Sequence, residues 1–391
     1  MPALPYPRPL RLLRQDLSQA HRPVAVAASG LASGEEPQPG IAAAAVRLAL
    51  ERANCECASS ILLFLSAAFA RNAQAAVTAA SHAGNCLQVA GCCVPGVFTE
   101  SDWLIDRPGA AALVLCGDLA LGAPRPGNAV LSLARPEDVT PAWLAAQGQR
   151  CGSVATDSAA LRPGKIWQHG KAGVDPCSLA VAGARSRTGI SRGLRALSAP
   201  FSADAAGYEL RRLGAQPALD SLCRALPIEC RDADALPLHL LFAAVLDGDA
   251  GDDLAAELAD GRFALRAILA VNADSGAVTL AAPVPGGARI FWAIRQAPAA
   301  EQDMHDMLTR LAPPDGPEPS FAVMFSCMGR GPYFYGGADR DLELVRQRFP
   351  GLPLVGAYGA GEIAPLPAGN ALIHNSVVLT LFDVGDVQPE P

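Results

Sequence analysis

One order of elements occurs twice in this 391-residue chain, and it restricts the architecture more than any other feature. In the first half, Val24–Ala28 is a short apolar strand and IAAAAVRLALERA (41–53) a strong helix former. Ile61–Leu65 is a buried strand that ends in Ser66. Residues 68–84 form a second helix, with Gly84 as its stop. Leu87–Ala90 then enters the run Gly91-Cys92-Cys93-Val94-Pro95-Gly96, and Ala111–Cys116 is a further strand. In the second half Arg289–Arg295 is a strand, Ala299–Leu311 a helix, Phe321–Ser326 a strand, Ala338–Phe349 a helix and Leu352–Val355 a strand. A glycine corner, Gly356 to Gly361, precedes the strand Ser376–Phe382. Aligned on this order, Ser66 matches Ser326, Gly91 matches Gly356, and 112–118 match 377–383. Helical crossovers join parallel strands, while the last strand of each set is free to run antiparallel. The expected fold is therefore α/β: two related open mixed sheets with flanking helices, an internal duplication, and inserted β-hairpins.

The hairpins are expected in the middle. Gly164–Lys171, Cys177–Ala184 and Gly193–Ser198 read as short β segments, and Ser202–Leu226 as mostly helical. Leu236–Leu246 is an apolar strand and Asp252–Ala259 a short helix. Phe263–Asn272 and Ala277–Val284 flank the turn Asp274-Ser275-Gly276. The Pro-rich lead-in (1–20) carries no continuous apolar region of a secretory signal, and the tail from Gly385 is expected to fray.

Composition narrows function by exclusion. Half of the residues are apolar and the formal net charge is -7, which argues against a general nucleic-acid surface and against docking on acidic lipid. No apolar run is long enough to span a bilayer. Eleven cysteines, mostly inside apolar strands, read as reduced thiols packed as small hydrophobes in a cytoplasmic protein.

Chemistry-bearing residues gather where the second set of strands ends, the place where open α/β sheets bind ligands. The corner Gly356-Ala357-Tyr358-Gly359-Ala360-Gly361 is followed by Ile363-Ala364-Pro365-Leu366-Pro367. A phosphate loop would need a helix there, so the corner instead implies close backbone approach or positive φ. Glu362, set among apolar residues, suits a ligand ammonium group. Arg330 suits a carboxylate, with Arg187 and Arg192 as rival candidates. Cys327 and His374, with Glu362 or Asn375, are the residue types of a cysteine hydrolase, but no helix starts after Cys327 to acidify its thiol. Zinc-type CxxC spacing is absent. A single axial His374 for haem leaves no spacing signature and stays open.

The motifs at this corner resemble the C-terminal part of the FIST family (F-box and intracellular signal transduction proteins). Phe325-Ser326-Cys327, Gly329-Arg330, Gly361-Glu362-Ile363, Pro365 and Ile373-His374-Asn375 carry that resemblance. LFLS (63–66), GCCVPGVF (91–98), GSVATD (152–157) and ISRGLRAL (190–197) resemble the family's N domain. The segment 208–222 resembles the junction between the domains. Arg150-Cys151-Gly152 departs from the paired glycines usual there. The resemblance implies a FIST N-like domain over 22–206 and a FIST C-like domain over 207–391. It also implies a stand-alone intracellular sensory module, not an enzyme, that binds an amino acid or related metabolite and signals to a partner protein. Output regions found on other members have no room in this length. The expected ligand site comprises Ser326, Cys327, Arg330, Gly356, Tyr358, Gly361, Glu362, His374 and Asn375, with Ser66, Gly91 and Cys92 as the first-half counterpart. No cofactor is expected. The alternatives are a haem-binding gas sensor, as some members are, a Cys327–His374 hydrolase or transferase, and an interaction scaffold.

Overall fold

Two pairs of strands lie side by side in parallel, as the helical crossovers demand: Ser60–Ser66 with Val89–Val94, and Phe321–Cys327 with Leu354–Gly359. The computed structural model describes residues 25–146, 148–156, 164–231, 236–248, 250–313 and 315–385. The lead-in, Val24, Asp157 and the end of the tail lie outside them. Each parallel pair is the centre of a six-stranded mixed sheet. In the first sheet the order is Val26–Ser33, Gly109–Cys116, Ser60–Ser66, Val89–Val94, Ile166–Gln168, Lys171–Ala172. In the second it is Arg185–Ser191, Val377–Asp383, Phe321–Cys327, Leu354–Gly359, Gly96–Thr99, Trp103–Ile105. In both, all other neighbours are antiparallel.

The two sheets share sheet order and strand sense, but the residue-level equivalence fails. Gly91 pairs with Leu63, three residues before Ser66, whereas Gly356 pairs with Met324, two before Ser326. The two glycines therefore occupy different levels of their strands. An internal duplication does not follow from this geometry.

Burial on both faces explains the continuous apolar runs of these strands. The helices Pro39–Ala53 and Ala73–Gly84 cover one face of the first sheet through Ala42, Val46, Ala49, Val77 and Ala80. Asn85, in the left-handed region, caps the second of these helices, and Gly84 is its last helical residue. The helices Ala297–Leu311 and Arg340–Arg348 cover the second sheet through Met304, Leu308, Leu342 and Val345. The remaining faces of the two sheets meet each other. Leu62 and Phe64 join Phe321, Val323 and Phe325 in one core, and the Phe64 and Phe325 rings meet edge to face at 5.8 Å. The result is a helix–sheet–sheet–helix sandwich. A third mixed sheet adds Leu131, Leu133, Cys151, Leu179 and Ile373 to the same core. Its order is Gly369–Ile373, Glu362–Leu366, Gln149–Val154, Ala129–Ala134, Cys177–Ala182, Ala120–Gly122.

The middle of the chain departs most from expectation. Phe201–Ala206 and Glu209–Leu213 are strands, and only Ala218–Ala225 of the expected helical region is helical. Gly207 and Gly214, at φ 61° and 60°, turn the chain where a helix would have continued. Instead of separate hairpins, six antiparallel strands close on themselves: Arg289–Arg295, Phe201–Ala206, Glu209–Leu213, Ala277–Leu280, Phe263–Asn272 and Leu241–Leu246, which pairs back to Arg289–Arg295. Leu210, Leu213, Ile268, Val278, Ile290 and Trp292 fill this small barrel, as side chains must in one of its size. Strand pairing crosses residue 207 at several places, including Arg185–Ser191 with Val377–Asp383 and Gln149–Val154 with Glu362–Leu366.

Candidate functional site

Side-chain alternation along Phe321–Cys327 separates the residues that the sequence grouped together. Phe321, Val323 and Phe325 face the inner core, so Cys327 falls on that side. Ala322 and Met324 face the helices, so Ser326 falls on theirs. Two distinct buried polar clusters result.

The helix-side cluster is centred on Arg330, which is 1% exposed. Its Nε and Nη2 donate to the two Asp341 oxygens, each at 2.9 Å. Nη1 donates to Ser191 O at 3.1 Å, and Nη2 also donates to Ser191 Oγ at 2.8 Å and Ala300 O at 3.0 Å. Burial works against its charge, but the Asp341 carboxylate outweighs that and raises the guanidinium pKa further. All three guanidinium nitrogens are engaged within the protein and the group is buried, so Arg330 is not a partner for a ligand carboxylate, contrary to the expectation. Tyr358 is likewise engaged: its hydroxyl donates to Asp339, whose carboxyl is pushed up to about 6 by burial and by the neighbouring Asp341 charge. Asp339 also caps the Arg340–Arg348 helix by accepting from Leu342 N at 2.9 Å. Arg330 and Tyr358 thus hold turn, helix and strand together.

The inner cluster is centred on Glu362, at the start of the strand Glu362–Leu366. Its cross-strand neighbours are Ser153 on one side and Ile373 on the other. The residue is fully buried. Oε2 accepts from Ser376 Oγ at 2.6 Å, while Oε1 has no hydrogen-bond partner among the described residues. Burial pushes the carboxyl up to about 8, the Ser376 bonds offsetting only part of that shift. Cys327 sits next to it, and burial plus the Glu362 charge push its thiol up to about 12.

The corner glycines permit this convergence by bringing backbone close to side chains. A Cβ at Gly359 would lie 1.9 Å from Ser153 Oγ, and one at Gly361 would lie 2.9 Å from the His374 ring. Gly356 lies outside the corner: it is mid-strand under Phe98, 2.0 Å from where its Cβ would be. His374 is exposed, with Nδ1 3.0 Å from Ala360 O. Asn375 takes the left-handed conformation at φ 57° and turns the chain into Val377–Asp383. No hydrogen bond joins Cys327 and His374 among the described residues, so the dyad of the hydrolase alternative is not formed. For the haem alternative, the Ala360 contact leaves only Nε2 of His374 for an iron. No three His, Cys, Asp or Glu side chains converge as a metal site among the described residues.

Beside the inner cluster lies a cleft of about 440 Å³ between the barrel and the Glu362–Ile373 hairpin. Phe242, Phe263 and Arg266 line it from the barrel, Leu366, His374 and Asn375 from the hairpin side, and Arg192 enters from the preceding loop. Glu362 is not part of the wall; it stands behind Ile373, its cross-strand neighbour, which is. The first-half residues serve the first sheet instead. Ser66 Oγ accepts from Gly109 N at 3.0 Å. Gly91 (φ 155°) lets Leu63 O and Trp167 approach where a Cβ would lie only 1.7 Å from that oxygen. Cys92 is fully buried in the core between the sheets, its thiol pKa raised by burial.

Sequence reasoning missed Ser376, Ser153 and Arg266. Ser376 follows Asn375 directly, and strand alternation back from Val378, which faces the inner core, was the available signal. Arg192 was only a rival, because sequence does not distinguish a paired arginine from an unpaired one.

An uncharacterised protein of Mycobacterium bovis is 29% identical over 194 residues, 49% of this chain and 49% of that protein. An uncharacterised protein of Mycobacterium tuberculosis is 29% identical over 201 residues, 51% of each. The chain thus spans about half the length of the relatives it matches. No helix among the described residues is long and apolar enough to cross a membrane. Residues 218–365 match the FIST C domain, which belongs to a sensory signal-transduction family, and this match covers the barrel strands from Leu241, Cys327 and Glu362 but ends before His374 and Asn375.

Proposed function

We propose that this protein is a small-ligand-binding sensory module whose ligand occupies the cleft beside Glu362 and carries an amine, as an amino acid or a related metabolite does. The observation that carries this reading is the half-satisfied carboxyl of Glu362. A fully buried oxygen without a partner is costly, and such groups mark sites completed by something else. The C-domain match supports the sensory class. Capture, without turnover, is the mechanism: Ile373, which separates Glu362 from the cleft, gives way, and the ligand ammonium displaces the proton from Glu362 and forms a charge-assisted bond in a dry environment. Ordering of the hairpin 362–373 against the barrel then changes a surface that a downstream protein reads.

The test is titration calorimetry with the common amino acids and their amines. An ammonium ligand that ionises Glu362 expels a proton below about pH 8, so the binding heat depends on the ionisation enthalpy of the buffer. Glu362→Ala is expected to cost about 2–5 kcal/mol of affinity. Unchanged affinity in that variant, or buffer-independent heats in the parent, would remove Glu362 from the site.

A further inference from the structure

Of the three arginines that the sequence offers as anion partners, two are occupied. Arg330 is bound to Asp341, and Arg187 donates to Asp383 at 2.5 Å and to Pro317 O at 2.7 Å. Arg192 is not. It is 8% exposed, and its Nε and Nη1 are buried without a hydrogen-bond partner among the described residues. Its guanidinium lies over the Phe263 ring, with Cζ 4.4 Å from the centroid. Asp303 and Asp247 act on it through space, yet neither forms an ion pair with it. Asp303 instead accepts from Ser191 Oγ at 2.6 Å and Gly193 N at 2.8 Å. Burial lowers the Arg192 pKa only to about 10, so the side chain stays charged at neutral pH.

A buried cation whose donors have no hydrogen-bond partner is costly even with carboxylates nearby. This one forms part of the wall of the 440 Å³ cleft, together with Arg266, whose Nε is also buried without a partner. None of the residues lining the cleft is acidic. Most of the wall is hydrocarbon: Phe242, Phe263, Leu265, Leu366 and Leu372. A bare inorganic anion would leave that surface wet, whereas an acid with an apolar body covers it.

We propose that Arg192 is the anion-binding residue of this cleft, and that the ligand is a small organic acid whose carboxylate lies on Arg192 and whose hydrocarbon part lies on Phe242, Phe263 and Leu366. This rests on the reading that the cleft holds a small ligand, and it names the charged group at the ligand's other end. A planar guanidinium presents paired donors to a carboxylate, which a lysine does not. The Phe263 ring fixes the guanidinium plane before the ligand arrives.

The experiment is calorimetric or thermal-shift titration with phenylacetate and hexanoate, with phenylacetamide, hexanamide and inorganic phosphate alongside. The acids are expected to bind and the neutral amides not to. Arg192→Gln is expected to lower acid affinity at least tenfold, while the melting point of the ligand-free variant stays level or rises as an unpaired buried charge is removed. Arg192→Lys falls between the two, and Arg192→Met is the second variant if Gln does not fold. Equal acid affinity in these variants overturns the role of Arg192 and leaves the cleft reading intact. Amides that bind as well as acids, or phosphate that binds where acids do not, overturn the carboxylate class. Binding of an amine through Glu362 with no response to any acid overturns this proposal alone. Silence toward acids and amines alike overturns both.

Discussion

Glu362 shows how one buried residue sets a pH dependence for the whole chain. Its carboxyl stays protonated in the fold up to about pH 8, against a usual value of 4.5. Between those values the folded state binds more protons than the unfolded chain, so stability falls as pH rises through the window. The slope from this group is at most roughly 1.4 kcal/mol per pH unit. Glu362→Gln keeps the neutral shape and is expected to flatten that dependence and to be more stable than the parent at pH 8. Denaturant unfolding at several pH values between 5 and 8.5 checks it, and parallel curves for parent and variant would show that Glu362 ionises normally. The same residue frames the Cys327 thiol: burial and the Glu362 charge raise the cost of ionising it, the opposite of an activated nucleophile.

At the scale of elements, Arg330 is a joint. Its guanidinium links the turn Met328–Arg330, the helix Arg340–Arg348, the C=O of Ala300 in the helix Ala297–Leu311 and the strand end at Ser191. Removing one side of a buried ion pair leaves the other charge uncompensated, at a cost of about 3–5 kcal/mol. Asp341→Ala should therefore lower the unfolding free energy by about that much. The paired replacement of Arg330 by Met and Asp341 by Leu should recover most of it, since buried pairs gain little over apolar packing. A double mutant no better than the single ones would mean that the Ser191 and Ala300 contacts matter more than the pair. Acid affinity at Arg192 is expected to survive these changes only if Ser191 holds its position, because the two residues are adjacent.

At the scale of the molecule, the two sheets are joined through Phe64 and Phe325 and by strands exchanged across residue 207. Neither half buries its inner face alone. Phe325→Ala is expected to cost about 3–5 kcal/mol and to leave unfolding as one cooperative transition. Near-ultraviolet and far-ultraviolet circular dichroism followed through the same denaturant series check this. Two separated transitions would show halves that fold independently.

Much of the fold was legible because it rests on local physics. Apolar runs of strand length and Ala-rich helices marked the central strands and the covering helices of the first two sheets, and the helix-crossover rule holds for one parallel pair in each; it fails for Val26–Ser33, which pairs antiparallel with Gly109–Cys116, and for Arg289–Arg295, which joins the barrel. Glu362 stood out for the same reason, as an acid set among glycines and apolar residues at a strand end, and the fold buries it fully. What tertiary structure decided is pairing. Residues 201–213 have the composition of a helix and became barrel strands because the edges of Arg289–Arg295 and Ala277–Leu280 were open to them. Arg185–Ser191, unmarked as a strand, found the edge of Val377–Asp383. Arg330, Arg187 and Arg192 are the same side chain in sequence, and only the positions of Asp341, Asp383 and the Phe263 ring decide which of them is spent and which is free. Local propensity is written residue by residue, whereas the partner of a strand edge or of a charge lies far along the chain and exists only once the chain has folded.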